Sequence, residues 1–197
     1  PARERDPREL PGGTGAPAPR SAKGGMRRGR LVDDQLTLYA NSKSESAFKA
    51  KCPRAHPYTT QVIETLKRLR LTPVAGQVPV YDRELKIGTA VDLLCANSSG
   101  HPVVVELKCG FCGYYERATG RMQGPMGDLS DAPKMQHQLQ LLLTSHLFAR
   151  TFGVAEYEAH VIRVVDAGVF HYRLYPNLRS RAQSALQYMH ERRRVPP

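Results

Sequence analysis

The sequence predicts one α/β (α+β) domain, a central mixed sheet flanked by helices. Three observations carry that expectation. A chain of 197 residues with 41% hydrophobic content is long enough for one substantial core. Apolar residues recur at helical spacing in 56–71 and again in 133–150. Between those segments, short apolar runs alternate with the turn signals "DRE" and "NSSG", the pattern of successive strands.

Each element follows in order. Residues 1–30 hold five prolines, six glycines, eight basic and three acidic residues. Such a segment buries no apolar face, so it reads as a disordered basic tail, either a weak nucleic-acid tether or localisation signal or a passive extension. The folded domain is expected over 31–190, with a second basic tail at 191–197. "LVDDQLTLYANSKSESAF" suggests a short helix and then a loop. In "HPYTTQVIETLKRLRL", Pro57 suits a helix start, and Val62, Ile63, Leu66 and Leu69 share a face. "TPVAGQVPVY" reads as a strand, with Pro79 pointing to a sheet edge. "LKIGTAVDLLC" and "HPVVVELK" are the next two strands. Residues 109–132 lack periodicity and read as an irregular loop. "PKMQHQLQLLLTSHLFAR" is a helix, "YEAHVIRVV" and "VFHYRLY" a hairpin around "DAG", and "NLRSRAQSALQYMHERR" a final helix. The order is α, β, β, β, loop, α, β, β, α, a layered architecture.

Charge and composition narrow the function. The net charge of +11 and the pI near 9.8 favour a polyanionic partner or a generic basic surface. No apolar run approaches the ~18–20 residues that cross a bilayer, so no membrane role is expected. The start is charged at once and lacks an apolar h-region, so no secretory signal is expected either. The four cysteines are then expected to be reduced. Cys109 and Cys112 form a lone C-x-x-C without the second pair that structural zinc normally uses.

The most informative stretch is "GHPVVVELKCG". It places Glu106 and Lys108 at the end of the most apolar strand. If the preceding turn centres on Ser99, Asp92 lies opposite Glu106, and opposed side chains share a face. Glu106 and Lys108 share that face by the two-residue period of a strand. A one-residue slip would send Asp92 to the other face. Two readings fit such a cluster. One is a divalent cation, Mg²⁺ or Mn²⁺, held by hard oxygen ligands, with Lys108 orienting a water or stabilising developing charge. The other is a cross-strand salt bridge between lysine and carboxylate.

"GTAVDLL" followed by "VVVELK", with Asp92 and then Glu106-Leu107-Lys108, resembles the core of the PD-(D/E)XK nuclease superfamily. The resemblance spans roughly residues 56–165. Val91 stands where many members have proline. It implies a restriction-endonuclease-like αβββαβ core and Mg²⁺- or Mn²⁺-dependent hydrolysis of DNA, in repair, recombination or replication processing. Asp92, Glu106 and the Leu107 carbonyl would bind metal, and Lys108 would assist the nucleophilic water. "KMQHQLQLLLT" is similar to the glutamine-bearing helix of the RecB and lambda-exonuclease branch. Gln138-Leu139 is the matching pair, with Leu142 in place of that branch's tyrosine. Gln138 would then contact the substrate or the lysine region, and Lys134, one turn earlier, a phosphate. The same branch carries an acidic metal ligand on the first core helix, and Glu64 matches it; otherwise Glu64 is an exposed carboxylate paired with Lys67 or Arg68. His56 is a weaker ligand candidate. The glycine-rich insertion after "ELK" is also similar to nuclease-like proteins of herpesviruses and other large DNA viruses. In it, Tyr114, Tyr115, Arg117 and Arg121 form either a base-stacking, phosphate-holding cap or a mobile surface loop.

Three functions compete: a metal-dependent deoxyribonuclease, a nucleic-acid-binding module on an inactive nuclease fold, and a structural protein whose triad is a salt-bridge cluster. The intact Asp92, Glu106 and Lys108 favour the first.

Overall fold

The computed structural model describes residues 22–110 and 113–194. The expectations for residues 1–21, Cys112 and 195–197 lie outside them. The order of elements is α1 (Ala22–Ala40), α2 (Glu45–Lys51), α3 (Pro57–Arg68), β1 (Thr72–Asp82), β2 (Ile87–Ala96), β3 (Pro102–Cys109), α4 (Pro133–Phe152), β4 (Glu158–Val165), β5 (Gly168–Arg173) and α5 (Ala182–Arg194). Two short 3-10 turns, Gly124–Met126 and Pro176–Arg181, precede α4 and α5 respectively.

The strands form one sheet in the order β1-β2-β3-β4-β5. Every pairing is antiparallel except β3 with β4, which is parallel. A parallel neighbour needs a long crossover, and the segment carrying α4 provides it. The architecture is α+β, a mixed five-stranded sheet with helices on both faces, consistent with the restriction-endonuclease-like core expected from sequence.

The two-residue period of the central strands sorts their side chains into two cores. Val103 and Val105 of β3, with Ile162 and Val164 of β4, pack under Val32 and Leu36 of α1, Phe48 of α2, and Val62 and Leu66 of α3. Val104, Ala159 and Val161 point the other way, against Leu141, Leu142 and Phe148 of α4 and Leu186 of α5. The third core helix begins where Pro57 stands, with His56 Nδ1 accepting from the Tyr58 N–H at 3.1 Å. Its ring is therefore spent on a helix cap. α4 ends at Gly153, whose left-handed φ of 65° is the usual stop.

Three sequence expectations need correction. The first helix starts at Ala22, inside the segment read as a tail, because Val32 and Leu36 bury an i, i+4 stripe that anchors the more polar turns before it. A second helix, capped by Ser44, occupies part of the stretch read as loop. The last helix runs on through Arg194, into the segment read as a basic tail.

One close approach fixes how α1 lies on the sheet. A Cβ built on Gly76 would stand 2.7 Å from Thr37 Cα and 2.8 Å from Thr37 Cβ. Only glycine lets β1 and α1 come this near, and the contact is backbone, which cannot rotate away. Gly76→Ala is therefore expected to lower the stability measured by urea unfolding by about 1–3 kcal/mol. Gly120→Ala, where a Cβ meets nothing within 4 Å, is the control and should shift it by less than about 0.5 kcal/mol.

Candidate active site

The β2–β3 ladder pairs Leu93 with Val105, Leu94 with Val104, Cys95 with Val103 and Ala96 with Pro102. Continued by one step, this register sets Asp92 opposite Glu106, the expected arrangement. The ladder stops there, although both strands go on. Instead of a backbone carbonyl, Asp92 Oδ2 accepts the Leu107 N–H at 2.9 Å. Within an extended strand the N–H and C=O of one residue face the same edge, so the Leu107 carbonyl is turned to the Asp92 side as well.

Glu106 is buried, its side chain 2% exposed, and Lys108 Nζ donates to its Oε1. The Lys108 side chain is 16% exposed. Burial first, and the neighbouring Asp92 second, push the Glu106 carboxyl up to about 7, against the pull of Lys108. Two carboxylates are thus held close together at the end of a buried strand, with one ammonium between them and solvent.

A third carboxylate, on α1, lies near enough to feel the charges of Asp92 and Lys108. Asp33 is pushed up to about 6 by burial, then by Asp92. Gln77 Nε2 clamps both its oxygens, at 3.0 and 2.9 Å. Gln77 lies between the paired residues Gly76 and Val78 of β1 and has a left-handed φ of 51°. Such a backbone is costly for a side-chain-bearing residue and gathers at functional sites. Asp33 precedes Thr37 by one helical turn, so the Gly76–Thr37 contact sets its reach.

The other predicted site residues are placed as follows. Glu64 is 65% exposed on the outer face of α3 and pairs with Lys67 at 3.2 Å, so it does not join Asp92 and Glu106. Val62, Ile63 and Leu66 take the inward face of that helix, which leaves Glu64 pointing out. Gln138 is buried away from the carboxylates. Its Nε2 donates to the Arg173 carbonyl at 3.1 Å and its Oε1 accepts the Tyr175 N–H at 3.0 Å, fastening the end of β5 to α4. Its neighbour His137 is held down at about 3 by burial, then by the charges of Lys108 and Arg163. Lys134 Nζ is tied to Glu116 at 2.6 Å and lies 5.0 Å over the Tyr172 ring. Tyr115 is not a surface stacking platform. It is buried, with the Arg163 guanidinium 4.2 Å over its ring and His137 and Tyr172 against it. Arg121 donates to the Asp128 carbonyl at 2.6 Å, and Arg117 is exposed. The segment 113–132 is thus partly pinned: Arg121 and Ser130 form an isolated bridge, and Tyr115 acts as a plug.

Asp92, Glu106 and the Leu107 carbonyl form a hard oxygen set of the kind Mg²⁺ accepts, since that ion keeps several waters and needs only one or two carboxylates. Among the described residues, no three His, Cys, Asp or Glu side chains gather closely enough to hold a metal by themselves. Asp33 accordingly stands behind the pair as an electrostatic neighbour.

No protein-family model matches the sequence, and no curated protein matches it. Solved structures do show likeness. The crystal structure of SSO0001 is 13% identical, covering 89% of this chain and 90% of that one, with a TM-score of 0.38. A protein named "Putative exonuclease" from Eubacterium rectale is 11% identical, covering 83% of this chain and 65% of that one, with a TM-score of 0.46. No described helix is long and apolar enough to cross a membrane.

The electrostatics predict a pH signature for the metal-free protein. The Glu106 carboxyl rises from 4.5 to about 7 on folding, so the folded state holds a proton that the unfolded chain has released. This group's contribution is fully present below pH 4.5 and lost as pH rises through about 7. Urea unfolding in EDTA should show that loss in the wild type and not in Glu106→Gln. Equal pH profiles for the two proteins would contradict a raised Glu106.

Proposed function

We propose that this chain is a divalent-metal-dependent nuclease of the PD-(D/E)XK type that hydrolyses DNA phosphodiester bonds. The observation that carries the reading is the Asp92–Glu106–Lys108 cluster at the parted end of β2 and β3. Two opposed carboxylates, one of them buried and reluctant to ionise, are costly to keep unless a cation joins them. Asp92, Glu106 and the Leu107 carbonyl are the ligands we assign. A bound Mg²⁺ or Mn²⁺ lowers the pKa of a coordinated water and neutralises charge on a phosphoryl oxygen. Lys108 orients the attacking water and offsets negative charge that develops at phosphorus. Gln77 holds Asp33 near Asp92 on the α1 side, where it adds negative charge to the site. Arg117, exposed on the 113–132 segment, is available to the strand. The choice of DNA over RNA, the relation to the RecB and lambda-exonuclease branch and a part in repair, recombination or replication processing rest on the motif resemblance.

Purified protein incubated with linear, circular, single- and double-stranded DNA should cut in Mg²⁺ or Mn²⁺ and not in EDTA. Lys108→Ala should slow cutting by roughly 10²–10³-fold. Metal-independent cutting, or undiminished cutting by the variant, would overturn the mechanism. Tight binding with no cutting would mark a binding module instead.

This reading assigns the supporting carboxylate on the helical side to Asp33 rather than Glu64. Asp33→Asn should raise the Mg²⁺ concentration needed for half-maximal cutting, because a negative charge near the two ligands is lost. Glu64→Ala should leave it unchanged. The reverse result would restore Glu64 and remove Asp33.

A further inference from the structure

Some cations on the helices of the Asp33 side of the sheet have no carboxylate partner among the described residues. Residues 41–70 hold seven lysines and arginines against two acids. Both acids are already engaged: Glu45 pairs with Lys49 and Lys67 at 2.9 Å, and Glu64 with Lys67 at 3.2 Å. Lys51, the last residue of α2, and Arg54, in the connection to α3, are exposed and have no acidic partner among the described residues. Arg28 of α1 is half-buried. Its guanidinium lies 5.2 Å over the Tyr58 ring, and its Nε is buried without a hydrogen-bond acceptor among the described residues. A stacked, partly desolvated guanidinium with donors to spare is suited to an oxyanion.

The packing brings these cations to the end of the sheet where Glu106 and Lys108 lie. Gln35 Oε1 accepts from the His56 N–H at 2.9 Å and from the Thr59 hydroxyl at 2.6 Å. This ties the connection after Arg54 to α1, two residues from Asp33. The Tyr58 hydroxyl donates to Asp166 at 2.5 Å, in the β4–β5 turn. At the same end, the Gly110 N–H meets the Val164 carbonyl at 2.9 Å, just past Lys108. α3 therefore starts at the carboxylate end of β3, with the Arg54 connection in front of it.

We propose that Arg28, Lys51 and Arg54 form a backbone track that holds phosphates of the nucleic-acid strand flanking the candidate site on the α1–α3 side. The track rests on nucleic acid being the substrate, and it adds the direction in which the strand leaves. Phosphate contacts position a strand without reading its bases, so the track predicts affinity that depends on charge and salt rather than on sequence.

The test is a salt titration with a fluorescent single-stranded oligodeoxynucleotide in EDTA, so that binding is read without cutting. Each lost phosphate contact lowers the slope of log K against log salt by about 0.7 on single strands. Arg28→Ala should therefore lower it by about 0.7, and Lys51→Ala with Arg54→Ala by about 1.4. Lys51 and Arg54 are exposed, so the double variant is expected to fold. Arg173→Ala removes a cation 76% exposed at the last residue of β5, the opposite end of the sheet, and should leave the slope unchanged. The track is wrong if its variants lose no more slope than Arg173→Ala. Wild-type protein that shows the track pattern but never cuts DNA overturns the nuclease reading and leaves the track standing. Cutting with unaltered slopes does the reverse, and absence of binding overturns both.

Discussion

The hydrogen bond from the Leu107 N–H to Asp92 Oδ2 is the interaction on which the rest of the site depends. Antiparallel strands satisfy their donors with backbone carbonyls, and β2 and β3 do so only from Ala96 to Leu93. Where they part, the Leu107 N–H would be left in a half-buried place without an acceptor, at a cost of about 1–3 kcal/mol. A side-chain carboxylate takes over the job of the missing carbonyl. The substitution has a consequence that a carbonyl would not have. It fixes a negative oxygen beside the next even-numbered residue of β3, which is Glu106. One structural need, the ending of a ladder, thereby produces a pair of opposed carboxylates.

Keeping that pair is expensive, and the surrounding residues are arranged around the expense. Lys108 supplies one positive charge, but a single buried ion pair does not by itself repay the desolvation of both partners. The Glu106 carboxyl responds by holding its proton to about pH 7. Asp33 is drawn into the same conflict and is kept there by the Gln77 amide, which itself sits in a strained backbone conformation. A protein that needed only to close a strand would do better with apolar residues at these positions. The accumulated cost is understandable if the cluster has a ligand of opposite charge to accept.

The sheet was legible in the sequence because its signals are local. A period of two, a four-residue turn and three consecutive valines fix both the strands and the register that runs up to the Leu93–Val105 pair beside Asp92 and Glu106. The residues that escaped sequence reasoning are placed by contacts between distant segments. Asp33 lies 59 residues before Asp92, and the packing of α1 on the sheet, through Val32, Leu36 and the Gly76–Thr37 approach, brings it near. The motif pattern therefore pointed to Glu64, on the helix next to the strands, although Ile63 and Leu66 turn that carboxylate outward. On α4 the motif match falls on Gln138, which holds the end of β5, one helical step of about 100° from His137, which feels the charge of Lys108. Tyr115 and its neighbours read as exposed because the segment is rich in glycine and charge. Its burial depends on Arg163 and Tyr172, residues of two later strands.

The two faces of the sheet offer unlike approaches to Glu106. On the α4 side the wall is closed by apolar and aromatic packing: Tyr115 is wedged among Arg163, His137 and Tyr172, and Lys134 is occupied by Glu116. His137 adds no charge there, since burial and the nearby cations keep it neutral down to about pH 3. On the α1 side the neighbours are polar, with Asp33 half-buried, Gln77 exposed, and Lys51 and Arg54 exposed at and after the end of α2. A polyanion brought to the cluster from the α4 side would have to displace packed rings, each contributing stability through its buried area. From the α1 side it would meet Lys51 and Arg54, which are exposed and have no acidic partner among the described residues. The asymmetry follows from which residues cap each layer, and it is the reason the proposed phosphate track is drawn along the α1–α3 side.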